Sequence, residues 1–229
     1  MKELIEIIDY KGLKINIYQD NDYNPDEEDK DLFLVGYHRD FTVKRDEIVT
    51  KDEIIKAMEN TKISECCGYE IYDRHCEFCG NKTKAVKPPI LEKYHIFGLE
   101  AYIHSGVSLA LSGEGNFPDR RWDASQLGAV FVAKKEWTTK AKARKAALGL
   151  IEMWNSYLSG QVYGYVIEGG ESDISDSCWG FLGDIKYCIE EAKSAANHIA
   201  EKTRYNRQKL VKSLIRNGVP LEIRQLKLT

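Results

Sequence analysis

The sequence predicts an α+β fold: an antiparallel or mixed sheet with helices packed on one face, interrupted by a small cysteine-rich zinc-knuckle insertion. Three observations predict it. Runs with a two-residue apolar period recur along the chain, and short links between successive strands favour antiparallel pairing. Other stretches carry apolar residues at helical spacing. Four of the six cysteines fall between residues 66 and 79.

Leu4, Ile5 and Ile7 begin a first strand, and Leu13, Ile15 and Ile17 alternate with polar residues in a second that faces solvent on one side. The acidic stretch 20–31 sets Asp20, Asp22 and Asn24 at the first positions of a calcium loop. Pro25, however, stands where that loop needs glycine, and Asp31 where it needs a bidentate glutamate, so the stretch reads as an exposed loop. Residues 32–37 form a strand. Thr50 and Glu53 make a capping box for a short helix whose stripe is Ile54, Ile55 and Met58. After the cysteines, Lys84 to Pro89 is a basic, stiff linker. Tyr94, Ile96 and Leu99 resume a strand, and Val107, Leu109 and Leu111 mark another. The apolar run Gly128 to Ala133 is a strand buried on both faces.

A helix is predicted over 138–159, with Ala147, Leu150, Ile151, Trp154, Tyr157 and Leu158 on its stripe and Gly160 ending it. Residues 162–167 and 177–181 form an antiparallel pair around a Gly169-Gly170 turn. Asp184 caps a last helix that buries Ile185, Cys188, Ile189, Ala192, Ala196 and Ile199, extends through Leu210, Leu214 and Ile215, and leads to a short alternating apolar tail. The chain thus divides into 1–61, the N-terminal part of the α+β domain; 62–87, the knuckle; 88–183, the central core; and 184–229, a helical segment and tail.

Apolar content of 43% and charge of 30% over 229 residues describe an ordinary globular chain. No apolar run approaches the roughly 20 residues of a membrane span. Acids interrupt the N-terminal apolar run, so it is not a secretory signal, and a cytoplasmic location without membrane contact is expected. The net charge of −3 hides an acidic first third and a basic segment after Glu201.

In a reducing compartment, clustered cysteines point to metal rather than disulfide. Cys76-x-x-Cys79-Gly80 has the spacing of a zinc knuckle, two thiolates gripping one ion while the glycine allows the turn. The partner half is irregular: Ser64 stands where a first cysteine belongs, and Cys66-Cys67-Gly68 follows. A structural Zn²⁺ on Cys66, Cys67, Cys76 and Cys79 is the favoured reading. Because vicinal cysteines share one ion awkwardly, the fourth ligand is open between the second of that pair, His75 and a residue from elsewhere. An iron centre or a redox pair is the competing chemistry.

Between the strands at 107–111 and 128–133 lies a dense polar stretch. With the strand-end pair His104 and Ser105 it gathers Asp119, Arg120, Arg121, Trp122, Asp123, Ser125 and Gln126. It reads as a hydrogen-bond network at the sheet edge, with Trp122 partly buried and Asp123 bonded to backbone donors. Trp122 and Gln126 are candidate binding residues. A nucleophilic alternative takes Cys178 as thiolate, His104 as base and Asp123 or Asp176 as orienter. Its bland counterpart makes His104 a strand-end histidine and Cys178 a buried apolar residue beside Trp179. No phosphate-binding, dinucleotide-binding, zinc-protease or nucleophile-elbow motif is present.

Lys134 to Lys145 reads as a solvated basic face. Lys202 to Arg216 meets no acids, and Arg204, Arg207 and Lys212 are candidate binding cations. The acidic overall charge favours a protein partner or a second copy over nucleic acid, which is the competing partner.

His104-Ser105-Gly106, Trp122-Asp123-x-x-Gln126-x-Gly128, Tyr157-Leu158-x-Gly160-x-Val162-Tyr163-Gly164 and Asp176-Ser177-Cys178-Trp179-Gly180-Phe181 occur in one order. Together the motifs resemble an uncharacterised family of proteins carried by tailed phages and related mobile elements. The likeness spans roughly 99–182, with weaker echoes in Tyr18-Gln19-Asp20 and Tyr37-His38. It implies an origin and no mechanism. The resulting expectation is a phage or mobile-element accessory protein of the host-takeover or anti-defence kind, acting by binding a host or viral macromolecule in the host cytoplasm. A hydrolase built on His104, Asp123 and Cys178, and a zinc-containing nucleic-acid binder, are the alternatives.

Overall fold

The computed structural model describes residues 2–25, 29–38, 41–44, 48–118, 120–169 and 176–220. Asp119, Gly170, the side chain of Arg120 and the apolar tail beyond 220 lie outside the described residues. In chain order the elements are β1 (Glu3–Tyr10), β2 (Leu13–Gln19), β3 (Leu32–Tyr37), β4 (Thr42–Val43), α1 (Lys51–Met58), β5 (Ile63–Ser64), β6 (Ile71–Tyr72), β7 (His75–Cys76), β8 (Ala85–Val86) and α2 (Ile90–Lys93). There follow β9 (Tyr94–Ile103), β10 (Val107–Leu111), α3 (Arg120–Asp123), β11 (Ala124–Ala133), α4 (Lys140–Leu158), β12 (Val162–Glu168), β13 (Asp176–Leu182) and α5 (Ile185–Arg216). The fold class is α+β with antiparallel pairing, as the alternation of apolar runs predicts.

Where one sheet was expected, the strands form two larger ones, in two compact units. Met1–Tyr23 and Gly160–Thr229 make one unit, Asn24–Ser159 the other. The sequence-based segments follow chain order; the units do not, because β2 pairs with β12 across the whole intervening chain.

The first unit is a four-stranded sheet ordered β1-β2-β12-β13, with α5 on one face. Leu13, Ile15, Ile17, Tyr165 and Ile167 point to that face and bury Cys188, Ala192, Ala196 and Ile199 of the helix. The small residues on α5 let it lie close to the sheet. Asp184 caps the helix, its carboxylate accepting from Lys186 N at 2.9 Å. Asp20, expected in an exposed loop, is instead 8% exposed. Its carboxylate accepts from Gly180 N on β13 at 3.2 Å, a bond that offsets the cost of burying the charge.

The second unit is a five-stranded sheet ordered β10-β9-β11-β3-β4. Its helices lie on both faces. Leu34, Leu99, Ala101, Leu109, Val130 and Val132 face Ala143, Ala147, Leu150, Ile151 and Trp154 of α4. Phe33, Val35, Ala129 and Phe131 face the other way, against Ile54 and Ala57 of α1 and Ile90 at the start of α2. The continuous apolar run of β11 is therefore buried on both sides, for the reason its sequence gives. Asn155 of α4 exchanges hydrogen bonds with Leu109 N and O, at 2.8 and 3.0 Å, on the edge strand β10. Thr50 and Glu53 form the capping box of α1. No described helix is long and apolar enough to cross a membrane.

Candidate functional site

Two features of the second unit concentrate chemistry. The first is the cysteine cluster. β5 pairs with β8, and β6 with β7 as a hairpin, so residues 63–86 form a small module of two ladders. The thiols of Cys66, Cys67, Cys76 and Cys79 all lie within 4.8 Å of one another, with Cys66 and Cys79 3.6 Å apart. Four thiolates about 2.3 Å from one ion at tetrahedral angles stand about 3.8 Å apart, so this donor set fits a metal ion. Both members of the vicinal pair join the cluster. His75 does not: its Nδ1 lies 2.8 Å from the carbonyl of Asp73.

The electrostatics of the cluster are uneven. Ser64 Oγ donates to Cys76 Sγ at 3.2 Å, and this bond, with backbone N–H groups, pulls the Cys76 thiol down to about 6. The hydroxyl of Thr83 draws Cys66 below the usual thiol range. Cys67, crowded by the thiol of Cys79, is pushed up to about 12. A divalent cation would reverse that crowding, since it stabilises every thiolate around it and releases their protons.

The second feature is the polar stretch. Gln126 is exposed at its surface but committed inside: its Nε2 donates to Leu99 O at 2.9 Å and Gly128 O at 3.0 Å, and its Oε1 accepts from Ser112 Oγ at 2.9 Å. The register of β11 on β9 shifts between Gln126 and Gly128, a bulge, and this side chain pairs the carbonyls the bulge leaves open. Sequence reasoning missed Glu100. It is 6% exposed, and its carboxylate accepts from Gly113 N at 3.1 Å and Gly115 N at 2.9 Å, fixing the loop after β10. The available signal was an acid between Leu99 and Ala101 in an apolar strand, facing a loop with two glycines.

Two expectations fail here. Trp122 is not partly buried but 82% exposed, on the four-residue helix α3. Among the described residues Asp123 does not bond the loop backbone; its Oδ2 lies 3.6 Å from Nδ1 of His104, whose side chain is 69% exposed. The guanidinium of Arg121 sits 5.9 Å from the Trp122 ring, and Phe117 stacks on Tyr102 at 5.4 Å. An apolar groove of about 280 Å³ lies beside the bulge, lined among others by Tyr37, Ile54, Met58 and Leu127.

Of the hydrolytic trio, His104 and Asp123 belong to this unit, and Cys178 to the first. Cys178, on the edge strand β13, is exposed rather than a buried apolar residue. Arg204, Arg207 and Lys212 are all exposed on the second half of α5. Compared with protein-family models, with curated proteins and with solved structures, the chain matches none.

Proposed function

We propose that this chain is an accessory protein of a tailed phage or related mobile element that acts by binding a host or viral macromolecule, in the manner of host-takeover and anti-defence proteins. One structural Zn²⁺ is held by Cys66, Cys67, Cys76 and Cys79. The ion would stabilise the knuckle; with four thiolates on it, no position is left for a substrate. The binding reading rests on the exposure of Trp122. Tryptophan and arginine are the residues that dominate protein interfaces, and here Trp122 and Arg121 stand side by side at the end of a rigid sheet. The polar groups around them, Gln126, Ser112 and Glu100, are occupied in holding backbone. A protein partner fits this surface; the host cytoplasm is the matching compartment.

The experiment is affinity capture from bacterial extract with the wild type and with Trp122→Ala, followed by titration of the purified captured protein. A partner bound by the wild type and lost with Trp122→Ala supports the reading. Equal binding by both, or a hydrolytic activity abolished by His104→Ala, overturns it. The zinc reading has its own measurement: protein purified without chelator should carry about one equivalent of zinc, and less than about half an equivalent, with all thiols titrating freely, counts against it.

A further inference from the structure

The two turns of the knuckle are copies of each other. Ser64 N–H donates to Tyr69 O at 2.7 Å, and Cys76 N–H to Asn81 O at 2.9 Å. Gly68 N–H donates to Ser64 O at 2.9 Å, and Gly80 N–H to Cys76 O at 2.8 Å. Gly68 and Gly80 both take left-handed backbone, with φ of 72° and 69°. This equivalence sets Ser64 against Cys76, Glu65 against Glu77, Cys66 against Phe78 and Cys67 against Cys79.

A site drawn from equivalent positions would take its ligands from 64, 67, 76 and 79. Position 64 is serine. The fourth thiol comes instead from Cys66, whose counterpart Phe78 is 68% exposed and stacks its ring on Tyr69. Ser64 is nevertheless employed. It is 1% exposed, its hydroxyl accepts from Tyr69 N at 3.1 Å, and it donates to the sulfur of Cys76.

We propose that position 66 takes the ligand duty that the repeat would give to position 64: Cys66 closes the coordination sphere from outside the repeat, and Ser64 acts as a positioning residue for Cys76. The proposal rests on the reading of the cluster as a metal site. Cys67, Cys76 and Cys79 occupy equivalent positions of the two turns, whereas Cys66 lies outside that equivalence and lines an open cavity with Glu65, Lys82, Thr83 and Lys84. It is the exchangeable corner of a three-plus-one site. A cysteine placed at 64 would take up that duty, and Cys66 would then be dispensable.

The test measures Zn²⁺ affinity by competition with a chromophoric chelator, and the Co²⁺ absorption spectrum, on the full chain. None of the three apolar clusters draws on residues 62–87, so the variants keep their cores. Ser64→Ala should weaken binding about 10- to 100-fold, the usual cost of losing a partner of a ligand, and Cys66→Ser by more. Ser64→Cys combined with Cys66→Ser should restore affinity to within about tenfold of wild type, with a four-thiolate cobalt spectrum. Ser64→Cys combined with Cys67→Ser should not. A wild type that takes up neither ion defeats the underlying metal reading. A wild type that binds, with Cys66→Ser unchanged, or with Ser64→Cys rescuing both or neither cysteine variant, overturns the assignment to position 66.

Discussion

Gly164 lies in the middle of β12, opposite Tyr18 of β2, and the indole of Trp179 crosses it. A Cβ added at 164 would stand 2.0 Å from Trp179 Cε3 and 2.6 Å from Cδ2. Carbon atoms in contact sit about 3.5–4.0 Å apart, so Gly164→Ala must drive the ring outward by about 1.5 Å or more. Overpacking of this kind costs about 1–3 kcal/mol. The displaced ring also leaves Tyr18, at 5.9 Å, and the ammonium of Lys2, now 3.1 Å from its centre. Those contacts add about 0.5–1.5 and 0.5–1 kcal/mol. Alanine returns about 0.5–1 kcal/mol through its smaller backbone entropy loss. The expected cost is therefore about 1–5 kcal/mol, a large share of a typical domain's stability. Urea unfolding followed by far-ultraviolet circular dichroism measures it. The decisive comparison is a double-mutant cycle with Trp179→Ala. Once the ring is gone, Gly164→Ala should be neutral or stabilise by up to about 1 kcal/mol. Additive effects, or a single variant as stable as wild type, would refute the reasoning.

Other outcomes follow from the same geometry. Cys76→Ser should expose the amides of Ser64, Cys76 and Gly80 to hydrogen exchange while shifting the main melting transition by less than about 4 °C; global unfolding would mean that the knuckle is integral to the core. In the first unit, burial pushes Cys188 up to about 12 and Tyr165 up to about 12, so both stay neutral in the fold while the unfolded chain ionises. The unfolded state then binds fewer protons, and stability falls as pH rises above about 8.5, by up to about 1.4 kcal/mol per pH unit per group. Urea midpoints from pH 7 to 10 should decline in the wild type and decline less in Cys188→Ala; parallel curves would falsify the assignment. For α5, any binding to DNA or RNA at low salt should vanish at physiological salt, as expected of a few cations on an acidic chain. Tight binding that persists there and is abolished by Arg204→Glu, Arg207→Glu and Lys212→Glu would move a nucleic-acid partner to first place.

What the sequence made legible was local. Thr50 and Glu53 bond as a capping box, Asp184 caps its helix, and Gly160 takes the left-handed turn that ends α4, because each effect spans at most a few residues. The clustering of four cysteines was equally visible, since the module closes over a short stretch of chain. The partition into two sheets was not. Periodicity says that Ile15 and Ile17 need a buried face, but nothing in it says that β12 will supply the neighbouring strand. Trp122 misled for a different reason. An aromatic in a polar loop is ordinarily drawn inward by its apolar area, whereas Trp122, on the four-residue α3, stays outside.

The motif residues themselves divide into two kinds of work. In the first unit, Gln19 donates to Gly160 O at 3.1 Å, Asp20 accepts from Gly180 N, and Tyr18 and Gly164 receive the ring of Trp179. Each of these residues has a partner within the set, so the set explains itself as a way to fasten β2, β12 and β13. In the second unit Gln126 is likewise spent, on the bulge in β11. Trp122 is different. It carries one of the largest apolar surfaces a side chain has, it faces water, and its packing contributes to none of the three apolar clusters. Exposure of that much apolar area opposes folding economy and is what a binding surface requires. The same logic holds for the knuckle, where the stacked rings of Tyr69 and Phe78 are 48% and 68% exposed on a module that the metal ligands would hold rigid. Exposed aromatics on both features are what the proposed binding reading uses, because a partner that covers them gains apolar burial.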